Sequence, residues 1–299
     1  MGNFLTRNLK RILIANVIAQ VGIVITGGIV RVTASGLGCP TWPECVDGSI
    51  APTSEQTESW HKYVEFGNRL LTFVLLIVAI LVILAIRSAK LNRRDLTLLS
   101  YGTLAGIFAQ AILGGITVLT KLHPLTVAAH FLVSIGLITV AYNLYWRSNE
   151  TGYKTFTLTT PELFRKGTQL HTAIALAVIV VGTLVTGSGP HAGDSGDVER
   201  LPLDPRNITW LHADLVFLYI GLTIGLYVAA RALNLSANIA NAVKLVLLVS
   251  AAQGLIGYVQ YFTGLPWVLV ALHIAGSCAL WLATLRLLFS TQKRINSNG

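Results

Sequence analysis

Eight runs of about 20 predominantly apolar residues, each long enough to cross a ~30 Å hydrocarbon core as a helix, divide this chain from end to end. They lie near 11–31, 63–86, 96–120, 124–146, 167–187, 209–231, 242–262 and 266–289. With 53% hydrophobic and only 12% charged residues against the roughly 25% charged of an ordinary soluble domain, the chain reads as an all-α integral membrane protein. The first run follows Arg7, Lys10 and Arg11, as a signal peptide would. It is longer than a signal h-region and has a counterpart later in the chain, so it reads as a retained span.

The net charge of +9 could suggest a nucleic-acid partner, but the basic residues form no continuous face. They cluster in alternate connections: Arg7, Lys10 and Arg11; Arg87, Lys90, Arg93 and Arg94; Arg147, Lys154, Arg165 and Lys166; Arg231 and Lys244; Arg286, Lys293 and Arg294. The opposite connections hold most of the acids, among them Glu44, Asp47, Glu55, Glu58, Asp194, Asp197, Glu199 and Asp204. The positive-inside rule turns this alternation into an orientation with both termini cytoplasmic and the long polar loops 32–62 and 188–208 outside. Topology accounts for the charge, and no nucleic-acid partner is expected.

The sequence also matches itself. At an offset of 143, Gln110, Gly114, Thr120, Leu122, Val127, Ala128 and His130 meet Gln253, Gly257, Thr263, Leu265, Val270, Ala271 and His273. At an offset of 153, V-T-A-S-G (Val32 to Gly36) meets V-T-G-S-G (Val185 to Gly189). The expected architecture is two pseudo-symmetric four-helix bundles in parallel repeat, residues 1–150 and 151–299. At an offset of 144, Phe66, Leu71 and Phe73 fall on Trp210, Leu215 and Phe217, and Asn68 falls on His212. Each half then has one candidate ligand on its second helix and one on its fourth: Asn68 with His130, and His212 with His273.

The only Met is Met1 and the three Cys cannot form a four-Cys metal site, so ligand chemistry falls on the seven His. Ionisable side chains inside a membrane default to a functional reading. Two imidazoles at similar depth on facing helices suit the axial positions of a haem iron. The competing reading is a hydrogen bond from each His to a neighbouring helix, which a repeated pair makes less economical; zinc, needing three or four convergent ligands, fits less well. His171, near the inner end of the fifth span, reads as structural. His123 and His191, in outer loops, read as solvated or as contacts for a haem propionate. His61, Glu65 and Asn68 stand at i, i+4 and i+7 and share one helical face, expected to point toward the same cavity as His130. Arg69 could pair with Glu65 or with a propionate. Cys39 and Cys45 flank P-T-W-P-E in an outer loop, where a disulfide and a redox-active dithiol are both open. Cys278 reads as packing, and the absence of C-x-x-C-H removes covalent haem attachment.

The run from Thr26 to Cys45 (T-G-G-I-V-R-V-T-A-S-G-L-G-C-P-T-W-P-E-C), the E-F-G-N-R of Glu65 to Arg69, V-T-G-S-G-P-H-A-G-D (Val185 to Asp194) and the repeated His helices resemble the haem A synthase family over all eight spans. The resemblance implies an oxidoreductase of the inner membrane that oxidises the C8 methyl of its substrate, haem O, to a formyl group by successive hydroxylations. It implies haem b as cofactor between His212 and His273, substrate haem on His130, Glu65 as the acid at the reaction site, and a Cys39–Cys45 disulfide in the outer loop. The family's second-helix motif usually ends in His-Arg, where this chain has Asn68-Arg69; Asn68, His61 and Arg69 are then candidate substrate-haem contacts, with His61 the substitute for the missing imidazole. A second Cys pair common in bacterial members is absent. The implied partners are haem O, arriving through the bilayer or from a haem O synthase, an electron partner, membrane lipid and a second copy in a homo-oligomer. Two alternatives remain: a non-catalytic di-haem cytochrome b, against which Asn68 counts, and a membrane transporter, which would place its polar site nearer the midplane.

Overall fold

The computed structural model describes residues 2–91, 93–150 and 155–295, and Lys154 of the basic clusters lies outside them. The elements in chain order are α1 (Gly2–Arg7), α2 (Leu9–Val32), α3 (His61–Ser88), α4 (Arg94–Leu119), α5 (Pro124–Ser148), β1 (Thr155–Leu158), α6 (Glu162–Ser188), α7 (Pro205–Ala232), α8 (Ala237–Phe262), α9 (Trp267–Ser290) and β2 (Gln292–Ile295). The eight long helices coincide with the eight apolar runs, and each is long and apolar enough to cross a membrane. Large apolar side chains such as Phe73, Ile77, Leu248 and Leu255 stay exposed, as helices do when their outer faces meet lipid tails. The protein is an integral, multi-pass membrane protein.

Helix ends follow local chemistry. Asp204 caps α7 by accepting the Asn207 N–H at 2.8 Å, and Pro205 opens the helix where its missing N–H is harmless. The α4–α5 and α8–α9 turns are built alike: Leu122 N–H reaches Thr117 O at 2.9 Å, and Leu265 N–H reaches Gln260 O at 2.7 Å. Both are the six-residue closure that ends helices through a left-handed residue, here Lys121 and Gly264 at φ 50° and 78°. The bonded residues differ by 143 positions, so the sequence repeat is also a repeat of backbone geometry.

The chain divides into two compact units, Met1–Tyr145 with Thr186–Leu203, and Trp146–Val185 with Asp204–Gly299. The sequence places the boundary at 150/151. The structure adds that segment 186–203, which follows the first helix of the second half, belongs to the first unit. There Gly36 N–H bonds Gly193 O at 2.7 Å, Ser35 and Asp194 form an isolated bridge, and Leu122, Ala192 and Val198 make a small apolar cluster. The first unit's core at the opposite end is Leu13, Val82, Ile86, Leu96 and Leu144. In the second unit the strands flanking the helices pair antiparallel, with Phe156 opposite Arg294. His171, read as structural, is fully buried there, 2.9 Å from Thr223 Oγ1 through Nε2 and stacked on Tyr219.

Candidate functional site

In the second unit His212 of α7 and His273 of α9 face each other with ring centroids 6.4 Å apart and ring planes 70° apart. Two metal–imidazole bonds of about 2.0–2.1 Å on opposite sides of one ion, plus half a ring at each end, give a centroid separation of about 6 Å. The pair therefore has the spacing of two axial ligands. Each ring is seated against a glycine of a neighbouring helix. A Cβ at Gly182 of α6 would stand 3.2 Å from His212 Cε1, and one at Gly257 of α8 would stand 3.4 Å from His273 Cε1. His273 Nδ1 is buried without a hydrogen-bond partner. Among the described residues no cluster of three or more His, Cys, Asp or Glu side chains is shaped for a metal ion. The donor set is thus a pair of neutral imidazoles, which suits a planar ligand that brings its own equatorial donors.

The first unit repeats half of this arrangement. His130 of α5 lies against Gly114 of α4, whose Cβ would stand 3.2 Å from Cε1, and its Nδ1 is likewise buried and unpartnered. In place of His212 stands Asn68. Its Oδ1 accepts the Thr26 hydroxyl of α2 at 2.7 Å.

The face of α3 carrying His61, Glu65 and Asn68 packs against α2 and the loop that follows it. His61 Nδ1 lies 2.8 Å from Ser35 Oγ, with the ring stacked on Trp60. Glu65 is buried; its Oε2 accepts Cys39 N–H at 2.6 Å, and its Oε1 accepts Arg69 Nη2 at 2.6 Å and Nε at 3.1 Å. Arg69 also donates from Nη1 to Thr41 O and Glu44 O, each at 3.0 Å, and from Nη2 to Cys39 O at 2.7 Å. A guanidinium has five N–H donors, and these five bonds use them all. Arg69 is therefore committed to Glu65 and the loop, with no donor left for a propionate in this arrangement. Lys62 adds bonds to Thr53 O at 2.7 Å and Gln56 O at 3.2 Å.

Cys39 and Cys45 are joined in a disulfide, so the loop wrapped around Arg69 is closed covalently as well. No hydrogen bond or ion pair among the described residues joins Glu65 to His130; the carboxylate's partners are the loop and Arg69. Of the remaining histidines, His123 Nε2 lies 3.7 Å from Glu199, and His191 offers its carbonyl to Arg31 Nε at 2.9 Å. Sequence reasoning passed over Arg31, which also donates to Thr186 O at 3.1 Å; its position inside T-G-G-I-V-R was the available signal. It also passed over Thr26, the α2 residue that meets Asn68.

The heme A synthase of Geobacillus thermodenitrificans is 31% identical over 127 residues, 41% of this chain and 37% of that protein. The heme A synthase of Lysinibacillus sphaericus is 34% identical over 131 residues, 43% and 41% of the two chains. That of Alkalihalophilus pseudofirmus is 33% identical over 131 residues, 42% of each. The matched stretch thus spans about two-fifths of these relatives' length. The sequence profile of the COX15-CtaA family, described as cytochrome oxidase assembly protein, matches residues 10–285, which takes in all the histidines, Glu65 and the disulfide loop. A match across nearly the whole chain makes it a member of the COX15-CtaA family of cytochrome oxidase assembly proteins.

Proposed function

We propose that this protein is a haem A synthase, oxidising the C8 methyl of haem O to a formyl group through successive hydroxylations, the resulting geminal diol losing water. The observation that carries the reading is the asymmetric repeat: one unit presents two facing imidazoles, the other a single imidazole on one helix and a buried carboxylate on another. His212 and His273 would hold haem b between them. When bound there, haem b supplies one-electron transfer. His130 holds the substrate haem from one side, and Asn68, lacking an imidazole, leaves the other side open or to His61, which is anchored through Nδ1 on Ser35. Glu65 is the acid–base group that takes or holds a proton as the methyl carbon is oxidised. Cys39 N–H and Arg69 orient its carboxylate, and the disulfide loop shields it. The positive-inside pattern supports an inner-membrane orientation with both termini cytoplasmic and both haem sites toward the outer side.

Expression in a host that makes haem O, followed by haem extraction and identification by chromatography and mass, tests the assignment. Wild type should yield haem A, and Glu65→Ala should keep haem b with little haem A. Haem b alone from both, with haem O present, would replace the enzyme by an electron-transfer cytochrome; no haem at all would favour a transporter.

A further inference from the structure

The repeat carries more than histidines. Gln110 of α4 donates from Nε2 to the main-chain carbonyl of His130 at 2.9 Å, and Gln253 of α8 donates from Nε2 to the carbonyl of His273 at 3.0 Å. Both pairs are separated by 20 residues. In both, the glycine one turn after the glutamine, Gly114 or Gly257, is the one against which the imidazole lies. In both, the glutamine Oε1 and the histidine Nδ1 are buried without a partner. An unsatisfied acceptor on the residue that anchors the histidine is thus matched, twice, by an unsatisfied nitrogen on that histidine. The two orphaned atoms thus stand at matching places in the repeat.

We propose that Gln110 and Gln253 are positioning residues, each fixing its unit's histidine through one amide. Nε2 holds the main-chain carbonyl and sets the depth and rotation of the histidine-bearing helix. In Gln253, Oε1 lies against Gly276, one turn beyond His273; when a metal takes the imidazole Nε2, the amide turns about its carbonyl bond so that Oε1 accepts the Nδ1–H, which fixes the tautomer with its lone pair toward the metal. The proposal rests on the haem reading above. The units differ in support: Gln110 Nε2 also bonds Ser134 Oγ, whereas Ser277, the equivalent residue, turns to Ile274 O. Gln253 therefore depends more on its single carbonyl bond, and its loss should be felt more.

The test uses full-length protein purified with haem b, to which haem O is added. Gln253→Met, which keeps length and removes both bonds, should weaken haem b retention by about threefold to twentyfold, the range of one hydrogen bond between membrane helices. It should also alter the low-spin electron paramagnetic resonance signature and leave haem O affinity unchanged. Gln110→Met should do the reverse, weakening haem O binding while the haem b spectrum stays native. Each variant's undisturbed unit shows that it has folded. Gln253→Glu, which keeps an acceptor for Nδ1 and makes it more basic, should lower the haem b reduction potential. Equal losses in both units from either variant would mean general destabilisation and overturn the proposal, as would native retention, spectrum and potential in all three. Wild-type protein without haem would overturn the haem reading itself; wild type with haem and unresponsive variants would overturn the inference alone.

Discussion

The two units share a helical pair and part company at its edges. In both, a glutamine and a glycine on one helix grip a histidine on the next, and the turn between them closes by the same six-residue bond. The second unit then completes the pair with His212; the first substitutes Asn68 and adds Glu65, Arg69 and a disulfide-closed loop. At the 144-residue offset Glu65 and Arg69 correspond to Thr209 and Ala213, which can make no such clasp. A closed imidazole pair resists exchange of ligands and suits electron transfer. A single imidazole in a unit that also holds a buried carboxylate suits a ligand that must be bound, changed and released.

The comparison breaks most sharply at the pair itself. His273→Ala or His212→Ala should abolish the low-spin haem b spectrum and reduce haem b per protein to background, with His130 still able to bind haem O. A retained low-spin spectrum in both variants would remove the pair as the haem b site. Next comes the clasp. Arg69→Met strips three acceptor carbonyls and the buried Glu65 carboxylate of a half-buried guanidinium, and the loss costs about 3 kcal/mol, the low end of the range for a fully buried pair. On the proposed reading, haem A formation should fall to near zero and thermal stability should drop, while the haem b spectrum, assigned to the other unit, should stay native. Asn68→His should sharpen the comparison by giving the first unit its own imidazole pair. Titration with haem O should then show a new low-spin species and tighter binding; an unchanged spectrum would mean that position 68 does not face the substrate.

The eight helices were legible because hydrocarbon thickness fixes their length and composition, and the repeat because Gln, Gly, Thr and His are kept at identical spacing. The i, i+4, i+7 face of His61, Glu65 and Asn68 was equally legible; its neighbour was not. That neighbour is largely main chain, the Cys39 N–H and the carbonyls that hold Arg69, and main-chain partners leave no side-chain pattern to read. The same reason hides the docking of segment 186–203 on the first unit, made by Gly36 to Gly193 and by Arg31 to two carbonyls. The β1–β2 ladder and short α1 were missed likewise, since four- and six-residue elements are too brief for periodicity.

The smallest effect separates two roles for Asn68. If its amide only ties α3 to α2, then Thr26→Val and Asn68→Leu should each cost about 1 kcal/mol of stability, the net worth of a hydrogen bond. The double variant should then cost less than their sum, because both substitutions remove the same interaction and only the single variants leave a partner behind. Haem O affinity would be the same in all three. If Asn68 also touches the substrate, Asn68→Leu lowers haem O affinity and Thr26→Val changes it far less, so stability couples across the pair while binding does not. Thermal unfolding and haem O titration of the four proteins in the cycle read both quantities. Full coupling in stability with no change in binding would make the first unit's open side a consequence of helix packing, and leave His61 as its remaining candidate contact on that side.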